Sequence, residues 1–144
     1  MTNSRPSIAP GRVFWITGLS AAGKTTIGRA LASHLRASGG QVIFLDGDTL
    51  RTVVSNDLGY SAENRRAAAM RNGTLCRMLA EQGSDVVCST ISLFHDVQRW
   101  NRENIPRYTE ILSLIHICTR SKLLAVWLPT TAVSRTGASE GMVN

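Results

Sequence analysis

The chain has 144 residues, 43% of them hydrophobic and 18% charged, which describes one globular domain with its own core and excludes a disordered or collagen-like chain. The net charge is +6, from 16 Lys+Arg against 10 Asp+Glu, yet no basic run occurs and the arginines stand singly or in the one pair Arg65-Arg66. That pattern suits a small phosphorylated anion better than a nucleic-acid polymer, and no apolar stretch reaches the roughly 20 residues of a membrane span.

Residues 1–11 are polar, carry Pro6 and Pro10, and lack the apolar core of a signal peptide; they are expected to form a flexible leader. Val13-Phe14-Trp15-Ile16-Thr17 reads as a short β-strand, with Trp15 in the core. Then comes Gly18-Leu19-Ser20-Ala21-Ala22-Gly23-Lys24-Thr25, a complete G-x-x-x-x-G-K-[ST] phosphate-binding loop, followed by Thr26 and an amphipathic helix. Strand, glycine-rich turn and helix are the context in which this pattern binds phosphate. The glycines allow close backbone approach, successive N–H groups form an anion nest, and the helix adds its positive end. Lys24 is expected to reach the β- and γ-phosphates, and Thr25 to offer its hydroxyl to Mg²⁺. A βα turn that binds nothing is the alternative.

On the helix from 24 to about 38, Ile27, Leu31 and Leu35 recur at spacing four, and Gly39-Gly40 ends it. Val42-Ile43-Phe44-Leu45 is a continuous apolar run, expected to be a strand buried on both faces. It ends at Asp46-Gly47-Asp48. A carboxylate there can orient magnesium or accept a proton from an attacking hydroxyl; an Asx-type turn is the structural alternative. A short helix is expected around 49–54. On it Arg51 lies one turn beyond Asp48, placed to grip an anion in bidentate fashion or to remain a solvated surface arginine. A longer helix starts at Ser61 as N-cap, with Glu63 in its first turn, a stripe of Leu75, Met78 and Leu79, and a stop at Gln82-Gly83. Strands are expected at 85–89 and 108–112, with a helix over 95–102 between them. His34 is expected at a helix surface or core edge, and His95 at a helix start, with an acceptor contact as its alternative.

Repeating β-α units imply an α/β fold with a parallel sheet, the three-layer architecture of phosphate-loop NTPases. The cysteines Cys76, Cys88 and Cys118 are odd in number and show no C-x-x-C spacing, so they read as free thiols of a reducing, cytoplasmic setting. A switch or motor ATPase predicts an Asn-Lys-x-Asp motif or an acidic pair at a later strand end. The third strand instead ends in Ser89-Thr90.

Four motifs together resemble the adenylylsulfate (APS) kinases. They are the loop through Thr26-Ile27, then Leu45-Asp46-Gly47-Asp48 with Arg51, then Asp57-Leu58-Gly59-Tyr60-Ser61 with Arg65, and finally Ile91-Ser92. The resemblance runs from about residue 12 to about 112. It implies transfer of the γ-phosphate of ATP to the 3′-hydroxyl of APS, a small anionic acceptor, giving PAPS. It implies that Gly18–Thr26 hold the ATP phosphates, with Mg²⁺ at Thr25 and catalytic roles for Lys24 and for Asp46 and Asp48 beside the acceptor hydroxyl. Arg51 and Arg65 then bind the acceptor's anionic groups, and Tyr60 stacks on its adenine. Ser92 matches a serine assigned either a phosphoserine role or an acceptor contact. Asn64, Ala68 and Met70 stand where the family usually has Asp, Asn and Arg, so a kinase of another nucleotide-linked or capsule-precursor acceptor is the alternative. From Ser113 onward the family's later motifs are not recognisable. Residues 12–112 therefore read as a C-terminally truncated kinase domain, and 113–144 as a foreign, partly disordered tail. A nucleotide-binding fragment without kinase turnover is a further alternative. A homodimer is expected; a membrane or nucleic-acid partner is not.

Overall fold

The computed structural model describes residues 8–114. In chain order these form β1 (Val13–Thr17), α1 (Lys24–Ala37), β2 (Val42–Asp46), α2 (Gly47–Val53), α3 (Ala62–Glu81), β3 (Asp85–Ser89), α4 (His95–Asn104) and β4 (Tyr108–Leu112). The strands make one parallel sheet in the order β2-β3-β1-β4. All carboxyl ends therefore lie along one edge, which in open α/β sheets is the ligand edge. Residue 1–7 of the expected leader and 115–144 of the expected tail, with Cys118, lie outside the described residues.

The two-residue period of the strands sorts the core into two layers. Val13, Trp15, Val86 and Cys88 point to one face, where they meet Ala69, Cys76 and Ala80 of α3 and Val97 of α4. Phe14, Ile16, Phe44 and Val87 point to the other, under Ile27, Leu31, Ala32 and Leu35 of α1. The expected spacing-four stripe of α1 is thus its buried face. Helix α1 ends in a Schellman turn: Gly39, at φ 82°, donates to the Arg36 carbonyl and Gly40 to that of Leu35.

Two expectations are corrected. The apolar run of β2 meets both core layers, Leu45 in one and Phe44 in the other, but it does not make a fully buried strand. It is an outer strand, with Val42 buried and its other four residues half-buried. An apolar run reports that helices cover both faces, but not which strand stands outermost. On α3 the buried face is not the Leu75-Met78-Leu79 stripe. Ala69, Asn72, Gly73, Cys76 and Ala80 are buried, Leu75 and Leu79 flank them, and Met78 is exposed. Small side chains let this helix approach the sheet and α4 closely. A Cβ on Gly73 would stand 2.3 Å from Asn101 Oδ1 of α4.

The described part of the leader is tied down. Gly11 donates to the Ala80 carbonyl at the end of α3, and the Arg12 backbone N–H and guanidinium both bind Asp85 at 2.7 and 2.5–3.0 Å. Burial pushes the Asp85 carboxyl up. The side-chain and backbone hydrogen bonds from Arg12, with the charges of Arg12 and Arg107, outweigh that and hold it below its ordinary value. A carboxylate held low adds stability that is complete above its unfolded value of 3.8 and is lost as pH falls through the lower folded value. Arg12→Ala should therefore flatten the acid limb of stability. Near neutral pH it should cost up to about 1 kcal/mol, because the guanidinium is half-exposed and screened. Urea denaturation at pH 7 and in steps below pH 4 measures both effects.

Candidate active site

The phosphate loop runs from the end of β1 into α1. A Cβ on Gly18 would stand 2.4 Å from the Ser113 carbonyl oxygen, so only glycine fits where the chain leaves the sheet. Gly23 precedes the helix at φ 71°. Ala21 also lies in the left-handed region, at φ 59°, without glycine's freedom, at a cost on the order of 1 kcal/mol. The helix's first backbone bond is Ile27 N–H to the Gly23 carbonyl, at 3.0 Å. The N–H groups of Lys24, Thr25 and Thr26 precede it and form the positive end of α1.

Contacts from below hold this loop. Ser89 Oγ at the end of β3 donates to the Lys24 carbonyl at 3.0 Å. Ser113 N–H donates to the Thr17 carbonyl at 2.7 Å, and its hydroxyl to the Ala22 carbonyl. Ser113, which the sequence places at the start of the tail, is thus part of the loop's floor. The Lys24 ammonium crosses the loop and donates to the Leu19 carbonyl at 2.5 Å. Its burial lowers the pKa, and the charge of Asp48 partly offsets this. A bound polyphosphate would act in the same direction as Asp48.

Asp46 ends β2 and caps α2: its Oδ1 accepts the Asp48 N–H at 3.0 Å. Gly47 lies between them because a Cβ there would stand 2.8 Å from the Ser89 carbonyl oxygen. The structural alternative for this motif, an Asx-type turn, is thus realised at Asp46, which also lines the cavity. Asp48 is exposed toward the same cavity.

The segment between α2 and α3 is braced from both helices. Arg71 of α3 grips Asp57 with two bonds of 2.6 and 2.8 Å and donates to the Val54 carbonyl at 3.1 Å. Its side-chain bonds hold the Asp57 carboxyl below its ordinary range. Arg51 of α2 donates to the Gly59 carbonyl at 2.7 Å, and its guanidinium lies 3.9 Å from the centre of the Tyr60 ring. Tyr60, itself exposed, is set beside the cavity by this cation–π contact.

The result is one cavity of about 600 Å³. Its phosphate-loop side comprises Ser20 through Thr26, including Lys24 and Thr25. Asp46, Asp48, Arg51, Tyr60 and Arg65 line the rest, so the expected charged residues converge. Three expected residues do not line it. Gly18 shapes the turn, and Leu19 points to solvent and contributes only its carbonyl to Lys24. Ser92 is wholly buried; its N–H and carbonyl both bind the Thr17 hydroxyl, at 3.2 and 2.7 Å. Ser92 thus ties β1 to the chain after β3 through its backbone, while its own hydroxyl is buried without a hydrogen-bond partner. Missed in the sequence were Ser55, Asn72, Ser89 and Thr90, all cavity-lining. For Asn72 a signal exists: it interrupts the small-residue stripe Ala69, Gly73, Cys76, Ala80.

The adenylylsulphate kinase family profile matches residues 10–124. The chain belongs to the adenylylsulfate kinase family. It is 40% identical over 110 residues to an adenylyl-sulfate kinase of Deinococcus deserti, covering 76% of this chain and 61% of that protein. It is 36% identical over 99 residues to a cytidine diphosphoramidate kinase of Campylobacter jejuni, covering 69% and 58%. Among solved structures it superposes on the Mycobacterium tuberculosis APS kinase in complex with AMPPNP and APS, with a TM-score of 0.68 and 28% identity over 72% of this chain and 62% of that one. The chain spans about six-tenths of the length of these curated relatives. Within this adenylylsulfate kinase frame, Ala68 and Asn72 present their α3 turn to the cavity together with Arg65.

Lys24→Ala should weaken AMPPNP binding about 10- to 100-fold, the range for losing one charge-assisted phosphate contact. Isothermal titration calorimetry reads this directly, and an unchanged Kd would remove the loop from nucleotide binding.

Proposed function

We propose that this chain is an ATP-dependent kinase that moves the γ-phosphoryl group of ATP to the 3′-hydroxyl of adenylyl sulfate. One observation carries the reading: a single cavity joins the phosphate loop to Asp48, Arg51, Tyr60 and Arg65. Donor phosphates and an anionic, base-bearing acceptor then share one space, as in-line transfer requires.

The loop amides, Lys24 and the N-terminus of α1 bind and orient the ATP phosphates. Thr25 and Asp46 are the residues fit to meet Mg²⁺. Among the described residues no three or more His, Cys, Asp or Glu gather, which suits an ion held mainly by phosphate and water. When bound, that ion neutralises charge on the β- and γ-phosphate oxygens. The acceptor oxygen forms its bond to the γ-phosphorus as the bond to the β–γ bridging oxygen breaks, and ADP leaves. Asp48 takes the hydroxyl proton, because its carboxylate is not engaged in capping whereas that of Asp46 is. Arg51 and Arg65 hold the acceptor's anionic groups, and Tyr60 offers a face to its base.

A second reading has its own support. Ala68 lines the cavity where the family usually carries asparagine, and the Campylobacter relative is named for a cytidine-linked acceptor. A kinase of another nucleotide-linked acceptor fits the same wall. A cytoplasmic location and a homodimer complete the proposal; among the described residues no helix is long and apolar enough to cross a membrane.

A coupled assay of ADP formation with ATP, Mg²⁺ and either APS or cytidine-linked acceptors separates the readings. Acceptor-dependent ADP release is the expected result. AMPPNP binding without turnover of any acceptor would reduce the chain to a nucleotide-binding fragment. Asp48→Asn should lower kcat about 10²- to 10⁴-fold while AMPPNP binding persists. Asp46→Asn should lower it less, since asparagine also caps a helix; equal losses would overturn the choice of Asp48 as base.

A further inference from the structure

Two polar side chains on the cavity wall serve neither the loop nor the proton transfer. Ser55 is 1% exposed and follows α2; Asn72 is 5% exposed and lies on the buried face of α3. Both line the cavity, and the Ser55 hydroxyl and the Asn72 Oδ1 are buried without a hydrogen-bond partner. Burying such groups unpaired is unfavourable, by more than an ordinary hydrogen bond contributes. An alanine or leucine at either position would spare that cost. Around them the α2–α3 wall carries Tyr60, Ala68 and Ala69, which are aromatic or apolar and offer a ring room to lie flat.

We infer that Ser55 and Asn72 form a subsite that reads the edge of an amino-bearing nucleobase on the acceptor. The inference rests on the kinase reading above and names what its acceptor must carry. The chemistry of the orphaned atoms selects the class. Asn72 Oδ1 can only accept, so it calls for an N–H donor. The Ser55 hydroxyl can donate to a ring nitrogen or accept from the same amine. A donor beside a ring acceptor is the edge of adenine (N6 with N1 or N7) and of cytosine (N4 with N3). Hypoxanthine and uracil present a carbonyl where the amine stands, and Asn72 meets it only by turning its amide over from the orientation found here. Sites built around a hydrogen bond reject the analogue that lacks it more strongly than apolar pockets reject a shape change.

The test uses the full chain saturated with AMPPNP and Mg²⁺, so that the phosphate loop is filled. Calorimetry then compares two matched pairs, AMP with IMP and CDP with UDP. The amino member of at least one pair should bind about tenfold more tightly, the value of one satisfied buried hydrogen bond. Asn72→Leu should bring that ratio to within twofold of one, leave the AMPPNP Kd unchanged, and not lower Tm, since it removes an unpaired buried group. Ser55→Ala should reduce the ratio in the same direction, and serves if the first variant fails to fold. A preference for CDP alone keeps the subsite and rejects the adenylyl acceptor. Turnover of APS with no preference for the amine keeps the kinase and rejects the subsite. A preference undiminished in both variants also overturns it.

Discussion

The site depends on how closely α1 can lie on β3. Gly28 sits at that contact: a Cβ there would be 2.3 Å from Ser89 Oγ and 2.6 Å from the Phe44 ring. With glycine the helix settles onto the sheet, and the Ser89 hydroxyl reaches the Lys24 carbonyl in the helix's first turn. That bond fixes where the helix begins relative to the strand ends. Because the loop is only the link between the end of β1 and the start of α1, its shape follows. The positive end of α1 then faces the space above β3, where β2 delivers its aspartates.

Around this anchor, polar groups do double duty. Asp46 closes β2 and caps α2 in one position, which aims the following turn along the cavity. Arg51 holds a backbone carbonyl and an aromatic ring at once, and Arg71 binds Asp57 so that the segment carrying Tyr60 keeps its place. The Thr17 hydroxyl satisfies the N–H and carbonyl of Ser92 beneath the sheet edge. Each such pairing removes an otherwise unpaired buried or half-buried group and also fixes one wall of the cavity. Among the unpaired buried groups, Ser55 and Asn72 are the ones that line the cavity, on the wall formed by α2 and α3.

Of the departures from the family pattern, Ala68 stands on the same wall, whereas Met70 faces another groove of α3. Helix α3 presents small residues to the sheet, so it sits close, and the residues on its cavity side decide what space remains beside Tyr60. A chain can therefore keep the donor half of a kinase unchanged while the acceptor half shifts. The loop and its supports come from β1, α1, β3 and Ser113 after β4, whereas the opposite cavity wall comes from α2 and α3.

Read without a structure, the chain already determined its elements and its chemistry class. Local signals sufficed for that: the glycine spacing of the loop, the spacing-four stripe of α1, Ser61 as N-cap and Gly39 as stop are each written within a few residues. The loop, the two aspartates, Arg51, Tyr60 and Arg65 were legible because their residue types are chemically distinctive at fixed spacing. Only the tertiary structure decided the rest. Strand order is set by long-range pairing, so the apolar β2 proved to be an outer strand. Burial is set by neighbours from elsewhere in the chain, so Ser92, 75 residues from its partner Thr17, turned inward, and Ser113 became the loop's floor. Ser55 carries no motif, and Asn72 is marked only by its place in a stripe of small residues. Their meaning lies in having no partner where the fold has buried them, a property of the surroundings and not of the residues themselves.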